Sequence, residues 1–142
     1  MNYTSTLELR TKEIAAEFAR KLQGGEFVEL VGDLGAGKTV FVRGMVEALG
    51  SDARVKSPTF TIMNEYPVQG DHVKKIVHLD LYRFKDESEL SALELEDYIN
   101  DKTVICVEWP DIFGKTPFEP THRINIEHVD EQVREITIET IL

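Results

Sequence analysis

A chain of 142 residues is long enough to bury one sizeable core and short for two, so one domain over residues 1–142 with a single active centre is expected. A hydrophobic fraction of 42% with mixed charges excludes a disordered or fibrous chain. Acidic residues outnumber basic ones 26 to 16, for a formal charge of −10; that average field repels phosphate backbones and anionic lipid, so no autonomous nucleic-acid binding and no membrane partner are expected. The lone Cys106 has no partner for an internal disulfide, and its apolar flanks Val104-Ile105 and Val107 place it as packing in a buried strand. The polar start Asn2-Tyr3-Thr4-Ser5 does not resemble a signal peptide and no run approaches membrane-spanning length, which makes the cytoplasm the expected address.

In chain order, Leu7, Ile14, Ala15, Phe18, Ala19 and Leu22 recur at helical spacing until Gly24-Gly25 ends the pattern, which predicts an amphipathic first helix. Phe27 to Val31 is a short β-prone run entering a glycine-rich turn, and Val40 to Leu49 returns to a helical pattern closed by Gly50. A β-prone stretch from Ser57 to Tyr66 is followed by the Gly70-Asp71 turn and a strand over Lys75 to Leu79. The segment after Asp86 reads as a helix through Ile99, and Thr103 to Val107 is the most apolar strand candidate. Arg123 to Glu127 and Arg134 to Ile138 alternate apolar and polar residues, as in an antiparallel hairpin turning at Asp130-Glu131. The expected fold is α/β, a P-loop NTPase-like three-layer arrangement with a mostly parallel central sheet and a C-terminal antiparallel hairpin.

Gly32, Gly37, Lys38 and Thr39 satisfy the spacing G-x-x-x-x-G-K-[ST], with a further Gly35 inside the loop. Glycines reach backbone conformations closed to other residues, so successive N–H groups can turn inward around an anion. The following helix adds unsatisfied N-terminal donors and the positive end of its dipole. In such a loop the Lys38 ammonium neutralises β- and γ-phosphate oxygens, and the Thr39 hydroxyl holds a Mg²⁺ that bridges them. The competing structural reading is a glycine-rich turn in an unrelated α/β protein; a turn of that kind has no need of a lysine.

Phosphoryl chemistry also needs carboxylates near the metal, and acids stand where two predicted strands end: Asp80 after Ile76 to Leu79, Glu108 after Val104 to Val107. Open α/β sheets bind ligands at the carboxyl ends of their strands. The plainer alternative for each is a surface carboxylate or a helix cap. Trp109 and Pro110 are read as core or rim packing, with a dry wall that fixes the Glu108 carboxylate as the sharper alternative, and His78 as structural. The Glu- and Leu-containing run from Asp86 to Asp97 is read as a solvated helix face, with a partner-binding face as the sharper alternative.

Four motifs together carry a family likeness: Gly32-Asp33-Leu34-Gly35-Ala36-Gly37-Lys38-Thr39, then Val55-Lys56-Ser57-Pro58-Thr59-Phe60-Thr61, then His78-Leu79-Asp80-Leu81-Tyr82-Arg83, then Glu108-Trp109. In this order, over nearly the whole chain, the sequence resembles the TsaE family, bacterial P-loop ATPases needed to make threonylcarbamoyladenosine in tRNA. The resemblance implies a compact nucleotide-binding α/β fold, Mg·ATP as ligand, and an ATPase that is weak alone and supports repeated turnover by its partners TsaB and TsaD. Carried onto this chain, Lys38 and Thr39 become phosphate and metal ligands, Glu108 lies near Mg²⁺, Asp80 is the other acidic site residue, and Thr59 sits in a switch-like loop. Nucleotide contact is assigned to Asp33, Leu34, Gly35, Ala36, Gly37, Lys38, Thr39 and Val40. Thr11 and Arg134 join them from a segment and a hairpin that resemble the family without a sharp motif. Val40 stands where family members commonly have a second Thr, and Leu93-Glu94 where they often have Leu-Gly.

Two other function classes fit the same cradle. A small-molecule kinase would carry an arginine-rich lid, which this sequence lacks, and a nucleotide-controlled binding module would use ATP state rather than turnover. The absence of an Asn-Lys-x-Asp guanine signature favours ATP over GTP.

Overall fold

The computed structural model describes residues 1–33, 36–51, 63–112 and 119–141. The expectations for Leu34, Gly35 and Thr59, and for the β-prone stretch up to residue 62, lie outside these residues. The described strands β1 (Asn2–Ser5), β2 (Phe27–Val31), β3 (Met63–Pro67), β4 (Lys75–Asp80), β5 (Thr103–Glu108), β6 (His122–His128) and β7 (Arg134–Thr140) form one sheet in the order β1-β7-β6-β2-β5-β4-β3. Its centre, β6-β2-β5-β4, is parallel, while β3 pairs antiparallel with β4 at one edge and β7 with β6 and β1 at the other. The parallel centre and the C-terminal hairpin match the sequence reading. Strand β1 does not: the polar run at residues 2–5 offers no alternation strong enough to announce a strand, and pairing with β7 decides it. Pro67 closes the edge strand β3, the kind of position where its missing N–H costs no ladder bond.

Side chains on the central strands divide between two cores. Val28 and Leu30 of β2, Ile76 of β4, Val104 and Cys106 of β5 and Ile124 of β6 pack beneath helices α1 (Glu8–Arg20) and α2 (Lys38–Ala48). Val77, Leu79, Ile105 and Val107 face the opposite way and meet Leu81, Phe84 and Leu95. Because both faces of β5 are covered, its whole length is buried, which is why it reads as an unbroken apolar run.

The helix α1 buries Ile14, Ala15, Phe18 and Ala19 of the predicted stripe together with Thr11, and Leu22 is buried just beyond its end; Leu7, which opens the stripe, precedes the helix and is exposed. The helix lies so close to α2 that a Cβ on Gly44 would stand 2.8 Å from Lys12 Cα and 2.9 Å from Ala15 Cβ. The second core layer is less regular than expected. The helix predicted from Asp86 through Ile99 is broken: α3 covers only Glu87–Ala92, capped by the Asp86 side chain, and a 3₁₀ turn covers Leu95–Tyr98. The break falls at Glu94, which adopts a left-handed φ of 51° at the position where the family resemblance noted a glycine.

Candidate functional site

Between β2 and α2, the two described glycines differ in what they require. At Gly32 a Cβ would meet the Ile126 carbonyl oxygen at 2.2 Å, so β6 forbids any side chain there. At Gly37 a Cβ has open space, but the backbone turns through φ 110° to start α2, a conformation that favours glycine. Among the described residues no side chain caps the first turn of α2, and its N–H groups and the positive end of its dipole point out of the helix at Gly37.

Lys38, the first residue of α2, is buried. Its Nζ donates to the Gly32 carbonyl at 2.7 Å, lies 4.0 Å from Glu108 Oε1, and sits 4.2 Å from the centre of the Trp109 ring. Burial lowers the pKa of this ammonium, and the carboxylates of Glu108, Asp80 and Asp33 oppose the shift. Trp109 reaches the lysine because it turns out of β5 with φ 56°, unusual for a bulky residue. Its ring also contacts that of Tyr82, centre to centre 5.2 Å.

Asp80 and Glu108 are the last residues of adjacent parallel strands and stand opposite each other in register. Both alternate onto the sheet face that carries α2. Asp80 Oδ1 accepts from the Tyr82 amide at 3.1 Å, and Oδ2 lies 3.5 Å from Arg83 Nε. Burial raises the Asp80 pKa and the charge of Glu108 raises it further, against the Tyr82 amide and Arg83. Glu108 Oε2 lies 2.6 Å from Nε2 of the fully buried His78. Sequence reasoning assigned His78 to packing; the available signal was its i, i+2 spacing from Asp80, which puts both on one strand face.

On the other side of the loop, a cleft of about 390 Å³ is lined by Thr11, Ala36, Gly37, Val40 and Arg134, among others. Arg134 Nε donates to the Ala36 carbonyl at 3.0 Å, tying β7 to the loop. Thr11 shares a 2.8 Å hydrogen bond with Ser5, whose hydroxyl also lies 2.8 Å from the Leu7 carbonyl oxygen, tying α1 to β1. The cleft therefore gathers residues from three distant stretches of sequence. Ser5 and Gln132 also line it, and nothing in their local sequence marked them.

The donors present suit a hard cation held together with phosphate. Thr39 stands in the first turn of α2 beside Lys38, and two carboxylates face a single buried ammonium. Among the described residues no three His, Cys, Asp or Glu side chains converge into a metal cage. Mg²⁺ in phosphate sites takes one or two protein oxygens and draws the rest from phosphate and water.

A parallel-centred sheet, a glycine-bearing loop between β2 and α2, and acids at the ends of neighbouring strands define this as a P-loop α/β protein. The family model described as Threonylcarbamoyl adenosine biosynthesis protein TsaE matches residues 5–136. The TsaE protein of Bacillus subtilis is 40% identical over 131 residues, covering 92% of this chain and 80% of that protein. The TsaE protein of Haemophilus influenzae is 34% identical over 139 residues, covering 88% and 86% respectively. The crystal structure of Bacillus subtilis YdiB superposes with a TM-score of 0.78 at 34% identity, over 100% of this chain and 86% of that one. The chain belongs to the TsaE family.

Proposed function

We propose that this protein is a Mg²⁺-dependent ATPase that supports threonylcarbamoyladenosine modification of tRNA by cycling with TsaB and TsaD homologues. Its own residues support the nucleotide chemistry, and the names of its relatives support the pathway. One observation carries the reading: the Lys38 ammonium, the N-terminus of α2 and the facing carboxylates Asp80 and Glu108 meet at the carboxyl end of the parallel strands.

In this reading the α2 amides and Lys38 hold the phosphate tail, and Thr39 and Glu108 are the protein ligands of Mg²⁺. The metal, when bound, supplies charge neutralisation across the β- and γ-phosphates. The Gly32 carbonyl and the Trp109 ring hold Lys38 in place beforehand, so little side-chain ordering remains to be done when phosphate arrives. Asp80 takes the part of orienting or deprotonating the attacking water, a reading supported by a pKa raised by burial and by Glu108. The cleft lined by Thr11, Val40 and Arg134 takes the nucleoside end, being continuous with the loop at Ala36 and Gly37.

Calorimetry and phosphate release test the reading. Lys38→Ala is expected to weaken Mg·ATP binding at least tenfold, and Glu108→Ala to retain binding while losing most hydrolysis. Normal binding and turnover in both variants would refute the site. If purified TsaB and TsaD homologues neither bind the protein nor raise its phosphate release, the partner assignment fails. A Glu108→Ala protein that binds Mg·ATP, does not hydrolyse it and still supports tRNA modification would instead establish a nucleotide-controlled binding module.

A further inference from the structure

We propose that His78 is a positioning residue for Glu108, holding one carboxylate oxygen so that the other is presented to the phosphate and metal side of the site. The inference rests on the ATPase reading above and assigns a role within the same site.

His78 lies in the middle of β4, opposite Cys106 in register, with no solvent exposure. Its neighbours on that sheet face include Ile76, Val104 and Cys106, all buried in the core beneath α1 and α2. A core position of this kind calls for an apolar side chain, because a buried polar group is costly unless its hydrogen bonds are satisfied. His78 satisfies only one. Its Nε2 lies 2.6 Å from Glu108 Oε2, whereas Nδ1 has no hydrogen-bond partner among the described residues. A histidine retained for packing alone has no reason to leave one nitrogen unpaired while aiming the other at a site carboxylate.

The bond divides the work of the two Glu108 oxygens. Oε2 is engaged from inside the sheet by His78, and Oε1 faces Lys38 at 4.0 Å. A glutamate has three rotatable side-chain bonds, and fixing one oxygen removes most of the freedom of the other. Opposite a carboxylate oxygen, which accepts, Nε2 is the ring nitrogen that donates the hydrogen bond. Partners that orient a metal-binding carboxylate typically change metal affinity or activity 10- to 100-fold when removed.

The test compares His78→Leu, which deletes the donor, with His78→Gln, whose amide nitrogen can reach the position of Nε2. Nucleotide Kd is measured with and without Mg²⁺, alongside kcat for phosphate release. For His78→Leu we expect a kcat about 10- to 100-fold lower and a several-fold smaller gain in nucleotide affinity on adding Mg²⁺. Its metal-free Kd should stay within about threefold of wild type, and His78→Gln should recover most of both losses. In a Glu108→Ala background, His78→Leu should change none of these quantities further, because a residue that acts through another has no effect once that partner is gone. Independently of turnover, ¹⁵N-histidine spectra of the metal- and nucleotide-free protein should show a protonated, slowly exchanging Nε2 on His78 that becomes exchange-labile in Glu108→Ala.

Wild-type kcat in His78→Leu overturns the proposal, as does equal loss of metal-free nucleotide affinity, or a His78→Gln protein as impaired as His78→Leu. A wild-type protein that releases no phosphate, alone or with its partners, overturns the ATPase reading instead; the Nε2–H signature then reports whether the His78 to Glu108 hydrogen bond exists.

Discussion

Asp80 and Glu108 face each other across the β4–β5 ladder as the final residues of their strands, two carboxylates brought together at the edge of a buried core. Parallel register enforces the approach, and the nearby buried ammonium of Lys38 offsets only part of the shared charge. The resting protein carries an electrostatic penalty that a divalent cation is suited to relieve.

That penalty has a measurable pH signature. Burial and Glu108 raise the Asp80 pKa above its ordinary 3.8, so the folded state binds this proton more tightly than the unfolded chain does. Stability from this group therefore falls as pH rises from 3.8 through the raised value, and the penalty is fully present above it. Asp80→Asn keeps an acceptor for the Tyr82 amide and removes the charge. Without nucleotide or metal it should be more stable than wild type at pH 7.5 by about 1 kcal/mol, within the range of single stabilising changes. The difference should shrink as the pH is lowered towards 4, and thermal melts across that range check it. An equal difference at all pH values would contradict the assigned cause.

Trp109 is the protein's single tryptophan, and its ring centre lies 4.2 Å from the Lys38 ammonium. Anything that draws Lys38 towards phosphate changes the field at the indole. Titration with Mg·ATP should therefore shift or quench the intrinsic emission saturably, and Lys38→Ala should remove the response. Replacing Trp109 by Leu removes a cation–π contact of about 1 kcal/mol and should weaken nucleotide binding several-fold by calorimetry.

The close approach of α1 and α2 depends on one missing side chain. Alanine at Gly44 improves helix propensity by about 1 kcal/mol, yet its Cβ would meet backbone atoms of Lys12 at 2.8 and 2.9 Å. Neither backbone atom can yield without moving the helix. Gly44→Ala should destabilise the protein by about 1–3 kcal/mol, read from denaturant midpoints at unchanged slope.

Glu94 presents the opposite case. It is exposed and holds φ 51° where helix α3 has ended. A left-handed conformation costs a non-glycine residue about 1–2 kcal/mol, partly offset by the extra unfolded-state entropy of glycine, about 0.4–1 kcal/mol. Glu94→Gly should raise stability by roughly 0.5–1 kcal/mol and leave nucleotide binding unchanged.

Much of this architecture is legible in the chain because it is written in short-range chemistry. The loop from Gly32 to Thr39 is a contiguous pattern, Phe27–Val31 and Thr103–Val107 are uninterrupted β-prone runs, and α1 displays its buried face at helical spacing. Asp80 and Glu108 stood out because each follows such a run. What the chain alone withheld depends on contacts between distant segments. Residues 2–5 become a strand only because β7 offers an open edge, and the helix expected through Ile99 breaks at Glu94, where Leu95 turns inward to the second core. Thr11 and Arg134 reach one cleft only through pairing of β1, β6 and β7. His78 meets Glu108 only because β4 lies parallel beside β5 with Asp80 opposite Glu108. Local sequence determines which elements and motifs are available, since propensity and turn chemistry act over a few residues; register and sheet order, set by burial of the whole chain, decide which side chains become neighbours.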